Sequence, residues 1–222
     1  MKILITDRRG AAFTLLELLA AIGLIIVLAA ILTAVGQQVR RDAQAAQCLS
    51  NLRQAGIGLR LYAASSNGEI RSLYGGGYGN KTWGKILVEE GYVPDRSTMR
   101  CPIGKTSYNL DSKTWDWQTF GMSMLVDPGV IETDVVENKG SDRVYSLRLQ
   151  NVVKPASHLL ISDSAGNDAN RLQSFRTFTS NPSTGIHLRH RGRANAFFAD
   201  GHAESLKRSE LKELVPESGL LD

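Results

Sequence analysis

The chain has 222 residues, with 26 Lys and Arg against 22 Asp and Glu, a formal charge of +4. That length suits one ordinary domain with an appendage. An apolar fraction of 42% excludes a wholly disordered chain, and 21 Gly and 6 Pro without a fixed period exclude a collagen-like one. The charge is too mild to imply a nucleic-acid partner, and two cysteines, Cys48 and Cys101, are too few for a disulfide-built mini-scaffold or a four-cysteine zinc site.

The first element is apolar. Leu18 to Val35 carries no charged residue over 18 positions, and Phe13 to Val35 carries only Glu17 over 23, against the roughly 20 needed to cross a bilayer as a helix. The span follows Lys2, Arg8 and Arg9. A secretory signal would have a shorter apolar core and a small-residue cleavage site after it, whereas this core runs on into GQQVRRDAQAAQ, which has helical composition. Gly10-Ala11-Ala12 after Arg8-Arg9 does not fit a twin-arginine address. The basic leader favours a cytoplasmic start, with Arg40 and Arg41 on the far side blunting the count.

The run Arg9-Gly10-Ala11-Ala12-Phe13-Thr14-Leu15-Leu16-Glu17-Leu18-Leu19 resembles the leader of type IV prepilins and type II secretion pseudopilins. In that family a basic leader is removed just before a Phe, the new amino terminus is methylated, and a Glu stands fifth in the mature chain. The resemblance puts the cut between Ala12 and Phe13 and makes Glu17 the fifth residue, with Ala12 where the family usually has Gly. It implies a pilin-like α+β fold, a long N-terminal helix on an antiparallel sheet head. Residues 1–12 would be leader, 13–35 the transmembrane and assembly helix, 36–66 its amphipathic continuation and 67–222 the head. The implied partners are a prepilin peptidase, the bacterial inner membrane and other pilin-like subunits, with the head outside the cytoplasm. A carboxylate inside an apolar span costs roughly 2.5 to 3.5 kcal/mol at a helix centre, so Glu17 calls for a partner. The freed α-amino group of a neighbouring copy is one; simple solvation at the membrane boundary is the alternative.

Past Val35, apolar and small residues at Val39, Ala43, Ala46, Leu49, Leu52, Gly56, Leu59 and Ala63 recur at steps of three and four, predicting an amphipathic helix. Residues 14 to about 64 would then form one helix of roughly 75 Å at 1.5 Å per residue, stopped by Ser65-Ser66-Asn67-Gly68. Gly56 and Gly58 are unfavourable in a helix, and close packing against a sheet accounts for them better than a hinge. Residues 69–130 read as irregular. Within them Gly75-Gly76-Gly77-Tyr78-Gly79 lacks the ending and context of a phosphate loop, 82–90 predicts a short helix closed by Gly91, and Trp115 and Trp117 would share one face of a strand. Strands are expected at 144–149, 158–162 and 173–179.

Asp200-Gly201, between two alternating runs, predicts a two-residue type I′ hairpin with Ala199 opposite His202 and Phe197 opposite Glu204. His190, nine intervening residues and Asp200-Gly201 resemble the H-X9-DG signature of a narrower group of prepilin-like proteins, as do the stretches around Cys48 and Cys101. His187, His190, Asp200 and His202 would offer nitrogen and oxygen ligands to a metal if the hairpin gathers them. Hydrogen-bonded histidines that fix the turn are the simpler reading, because no H-E-x-x-H or paired-cysteine element is present. No other cofactor is expected. Ser162 and Ser164 lie outside any G-x-S-x-G elbow, so enzymatic activity is not expected, and no D-x-D-x-D-G run supports calcium. Cys48 and Cys101 are either a disulfide, worth on the order of 4 kcal/mol for a loop of about 50 residues, or two buried thiols. Five acids between Asp127 and Asp142, and Arg189, Arg191, Arg193, Lys207 and Arg208 later, would suit head-to-tail contacts between subunits. The reading that follows is a non-enzymatic filament subunit; the competing one is an anchored binding module for a metal, glycan or protein.

Overall fold

The computed structural model describes residues 14–74, 81–123, 136–139, 142–177 and 183–222. The chain divides into two compact units, Met1–Ala43 and Gln44–Asp222. Helix α1, Leu15–Ser65, supplies nearly all of what is described in the first unit and enters the second. It is long and apolar enough to cross a membrane.

Thr14 and Glu17 start α1. Thr14 Oγ1 accepts from the Glu17 amide at 3.2 Å, and Glu17 Oε2 accepts from both the Thr14 amide and its hydroxyl at 2.9 Å. This is a capping box, the reciprocal satisfaction of two backbone donors that a helix start otherwise leaves open. The stop is the expected one. Asn67 and Gly68 take positive φ, 54° and 80°, and the Gly68 amide returns to Ala63 O at 2.7 Å, which satisfies a terminal carbonyl.

In the head, α1 buries Cys48, Leu52, Ala55, Leu59 and Ala63 along one face. Gly56 lies on the same face because nothing larger fits: a β-carbon there would come 2.3 Å from the Phe197 ring. Gly58 approaches Val93 and the Tyr92 carbonyl in the same manner. The glycines therefore mark close packing, Gly56 against a strand and Gly58 against a loop. That loop follows α2, Trp83–Glu89, whose exit at Gly91 has φ +79°, as the sequence predicts.

The described strands form three sheets. One joins β1, Glu69–Tyr74, to β4, Asp142–Arg148, and β4 to β3, Val136–Lys139. The central sheet runs β10-β9-β5-β2-β7, from Ala203–Lys207, Arg193–Phe198, Leu159–Ser162, Gly121–Ser123 and Arg176–Thr177. The third runs β11-β8-β6, from Leu220–Leu221, Thr184–His187 and Ser164–Gly166. β9 is buried on both faces: Phe197 joins the core beneath α1, while Ala194, Ala196 and Phe198 pack with Leu206, Val215 and Leu211, the last from α3, Arg208–Leu211.

Several expectations need correction. The head is not purely antiparallel, because β2 pairs β7, and β8 pairs β11, in parallel. Each parallel contact is two residues long and is made by a segment returning after a long connection, as parallel pairing requires. The region 69–130 holds β1 and β2 rather than only irregular chain. Trp115 and Trp117 lie in a 3-10 turn instead of a strand, so Trp115 is buried and Trp117 is 43% exposed, edge-on to Phe175. Of the strand expected at 173–179, only Arg176–Thr177 is seen among the described residues. The Gly75–Gly79 run and most of the acidic stretch fall outside them.

The hairpin also differs. Phe197 pairs with Ala203 and Ala196 with Glu204, one residue off the predicted register. Only Gly201 of the pair takes positive φ, +100°, and the Gly201 amide donates to Phe198 O at 3.0 Å. The connection is a three-residue loop, Ala199-Asp200-Gly201, with glycine at the left-handed position, the next commonest solution after a two-residue turn. The two-residue turn forms elsewhere. Arg191 and Gly192 both have positive φ, 56° and 76°, between His190 and Arg193, whose backbones exchange hydrogen bonds at 3.0 and 3.2 Å.

Candidate functional site

Two features carry chemistry: the start of α1 and a polar cluster inside the head. At the first, Glu17 is exposed, and both of its hydrogen bonds fall on Oε2. From Leu15 to Val39 every large apolar side chain described is exposed, Leu15 at 81% and Leu32 at 70%. Ala12 and Phe13, the expected cleavage position, lie outside the described residues.

The second feature is built by four distant segments. Cys48 comes from the inner face of α1. Cys101 follows a 3-10 turn, Arg96–Met99, whose start is capped by Asp95 through Ser97 N at 2.7 Å and Thr98 N at 3.1 Å; beyond it the chain reverses, with Gly104 N donating to Cys101 O at 2.9 Å. Asp163 sits where the chain leaves β5. Its amide donates to Asn195 O at 3.0 Å and its Oδ2 accepts from Asn195 N at 2.8 Å, so the carboxylate stands in for a strand partner of β9. His190 begins the tight turn before β9.

These four side chains meet. Cys48 Sγ donates to Asp163 Oδ1 at 3.2 Å, His190 Nε2 lies 3.1 Å from Asp163 Oδ2, and Cys101 Sγ lies 3.5 Å from His190 Nε2. All are buried: Cys48 and Asp163 at 0% exposure, Cys101 at 2% and His190 at 7%. Both sulfurs are free thiols. A second tier orients the first. Arg189 donates from Nε to His187 Nδ1 at 3.1 Å and from Nη2 to Ser164 O. With its amide oxygen turned inward, Gln173 accepts from Cys101 N at 3.2 Å and Arg189 Nη1 at 3.3 Å.

The electrostatics follow from burial and pairing. Burial opposes the Asp163 carboxylate, but hydrogen bonding from His190 and the Arg189 charge hold it below the usual carboxylate range. Burial likewise opposes a charged His190, yet bonds to Asp163 and Cys101 bring it up to about 9. The two thiols separate: burial pushes Cys48 up, with Cys101 and Asp163 beside it, while Cys101 is drawn down against burial by Cys48, His190 and Arg189. A buried charge persists only when paired, and here Asp163 and His190 pair each other.

The sequence expectations fare unevenly at this site. His190 is in the cluster, but His187, Asp200 and His202 are not its partners. Asp200 and His202 form their own exposed pair, Oδ1 to Nδ1 at 2.6 Å, and His202 stacks on Phe198 with ring centres 4.2 Å apart. The register shift sets this arrangement, because it places His202 directly across from Phe198. Asp200 and Gly201 thus shape the loop, where Arg60 of α1 donates to Asp200 O and a β-carbon on Gly201 would strike its guanidinium. Ser162 and Ser164 are fully buried, Ser164 Oγ bonding to Ser174 O at 2.5 Å. Of the late basic residues, Arg193 donates to Ser205 O at 2.7 Å and Arg208 pairs with Asp222 at 2.6 Å. Asp163 is the site residue that the sequence did not single out. Its signal was a lone acid within the apolar run Leu159-Leu160-Ile161-Ser162-Asp163-Ser164-Ala165.

No protein-family model matches the sequence, and neither a curated protein nor a solved structure matches it.

Proposed function

We propose that the chain is a structural, non-enzymatic pseudopilin-like subunit. It is trimmed by a prepilin peptidase between Ala12 and Phe13, held by α1 in the bacterial inner membrane with its head outside the cytoplasm, and assembled with other pilin-like subunits into a filament of a type II secretion or type IV pilus-like machine. The observation that carries this reading is the apolar half of α1. A helix that exposes every large side chain from Leu15 to Val35 requires lipid, neighbouring copies of itself, or each in turn. Exchange of lipid for helix packing is the mechanical event, and Glu17 supplies register.

The capping box gives Glu17 a local role as well, so the test must separate the two. Glu17→Gln retains an acceptor for Thr14 while removing the charge, and Glu17→Ala removes both. In cells carrying the machine, crosslinked subunit ladders should disappear in both variants while the monomers stay in the membrane. Ladders that survive Glu17→Gln would refute a charge-set register. Mass spectrometry of the mature terminus should find methylated Phe13, and an intact Met1 would refute processing.

A further inference from the structure

The cluster is buried inside the head, and its donor atoms, one from each side chain, all lie within 4.8 Å of one another. We propose that Cys48, Cys101, Asp163 and His190 form a closed tetrahedral site for a zinc-class divalent ion, bound through the two sulfurs, His190 Nε2 and one Asp163 carboxylate oxygen. The inference is independent of filament formation.

The donor set selects the class of ion. Two thiolates and an imidazole favour zinc or a similar borderline transition metal, and they exclude magnesium and calcium, which take oxygen. The spacing agrees. With metal–sulfur bonds of about 2.3 Å and metal–nitrogen or metal–oxygen bonds of about 2.0 to 2.2 Å, the edges of a regular tetrahedron run from roughly 3.4 to 3.8 Å. His190 Nε2 to Asp163 Oδ2 at 3.1 Å and Cys101 Sγ to His190 Nε2 at 3.5 Å need to open by only a few tenths of an ångström to reach them; Cys48 Sγ approaches the other carboxylate oxygen, Oδ1, at 3.2 Å, and because the four donor atoms lie within 4.8 Å of one another, no remaining edge has to close by more than about 1.4 Å. Binding would release three protons to solvent, the Cys48 thiol proton that points at Asp163, the Cys101 thiol proton and the proton between His190 Nε2 and Asp163, and would leave two thiolates, a carboxylate and a neutral imidazole around the cation. Asn195 N already holds Asp163 Oδ2 at 2.8 Å, the outer-shell support that a ligating carboxylate ordinarily has. His190 Nδ1 is buried and has no acceptor among the described residues, so the support for the imidazole is packing alone. Four protein ligands and near-complete burial leave no position for a substrate, which makes the role structural: the ion would fasten α1 to three segments of the head.

The test uses the full chain purified in detergent. Elemental analysis should find about one zinc per chain. Cobalt(II) added to metal-stripped protein should give the intense visible bands of a tetrahedral ion together with a near-ultraviolet thiolate-to-cobalt band. Cys101→Ser and His190→Gln should each lose the bound metal; if they fail to fold, the wild-type cobalt spectrum decides alone. Thiols are counted in the denatured, metal-stripped chain prepared without reductant. Two reactive thiols with neither stoichiometric zinc nor a tetrahedral cobalt spectrum would overturn the site, and so would a Cys48–Cys101 disulfide in the native protein.

Discussion

Replacing Gly56 by alanine tests how closely α1 is set against β9. In an exposed helix the change is stabilising by up to about 1 kcal/mol, because glycine is the poorer helix former. Here the new β-carbon would lie 2.3 to 2.5 Å from three atoms at the root of the Phe197 ring, so the ring cannot swing its far end aside. Relief needs about 1 Å of separation between two buried elements, and overpacking of this kind costs typically 1 to 3 kcal/mol. Since the overlap involves the ring and not a flexible tip, the upper part of that range applies, and the net destabilisation is about 2 kcal/mol after the propensity gain. For a head of this size that lowers the melting temperature by roughly 4 to 8 °C. Thermal unfolding of the detergent-solubilised chain measures it, and Phe197→Ala, which removes all three clashing atoms, should cost less in the Gly56→Ala background than in the parent. An alanine variant as stable as the parent would refute the packing argument, as would a double variant in which the two losses simply add.

Two further substitutions probe polar contacts in the head. Trp83→Phe removes the buried bond from Nε1 to Phe175 O at 2.7 Å and should lower stability by roughly 1 to 3 kcal/mol, read as a lower urea midpoint at unchanged slope. Asp95 caps the turn that delivers Cys101, and its bonds from Ser97 and Thr98 hold its carboxyl below the ordinary 3.8 despite some burial. A depressed carboxyl contributes stability above its unfolded value and loses it as pH falls through the folded one. The advantage of the parent over an Asp95→Ala variant should therefore be constant above about pH 5 and shrink toward pH 2; a gap independent of pH would contradict the assignment.

Helices were legible in the sequence because their signals are local. The three-and-four spacing from Leu49 to Ala63, the Ser65-to-Gly68 stop and the Gly91 exit each act within a few residues, and each lies where expected. Thr14-Leu15-Leu16-Glu17 also spells a capping box, a local signal that the Thr14–Glu17 bonds fulfil. Sheet pairing was less legible. Asp200-Gly201 marks a reversal correctly, but a two-residue and a three-residue loop differ by one step of register, and that choice depends on how Phe197 and Phe198 divide between two cores. The cluster was least legible of all. Cys48 and Asp163 are 115 residues apart and Cys101 and His190 are 89 apart, so no spacing rule links them. Only the tertiary fold makes one site of them.

The groove that Gly56 leaves in α1 is filled by Phe197, 141 positions later in the chain. During synthesis the ribosome therefore makes the helix long before the surface that shelters it. Until the last eighth or so of the polypeptide emerges, a greasy stripe and an unprotected Cys48 wait in the open. Chaperone demand and vulnerability to oxidation should fall together, at the moment when β9 arrives.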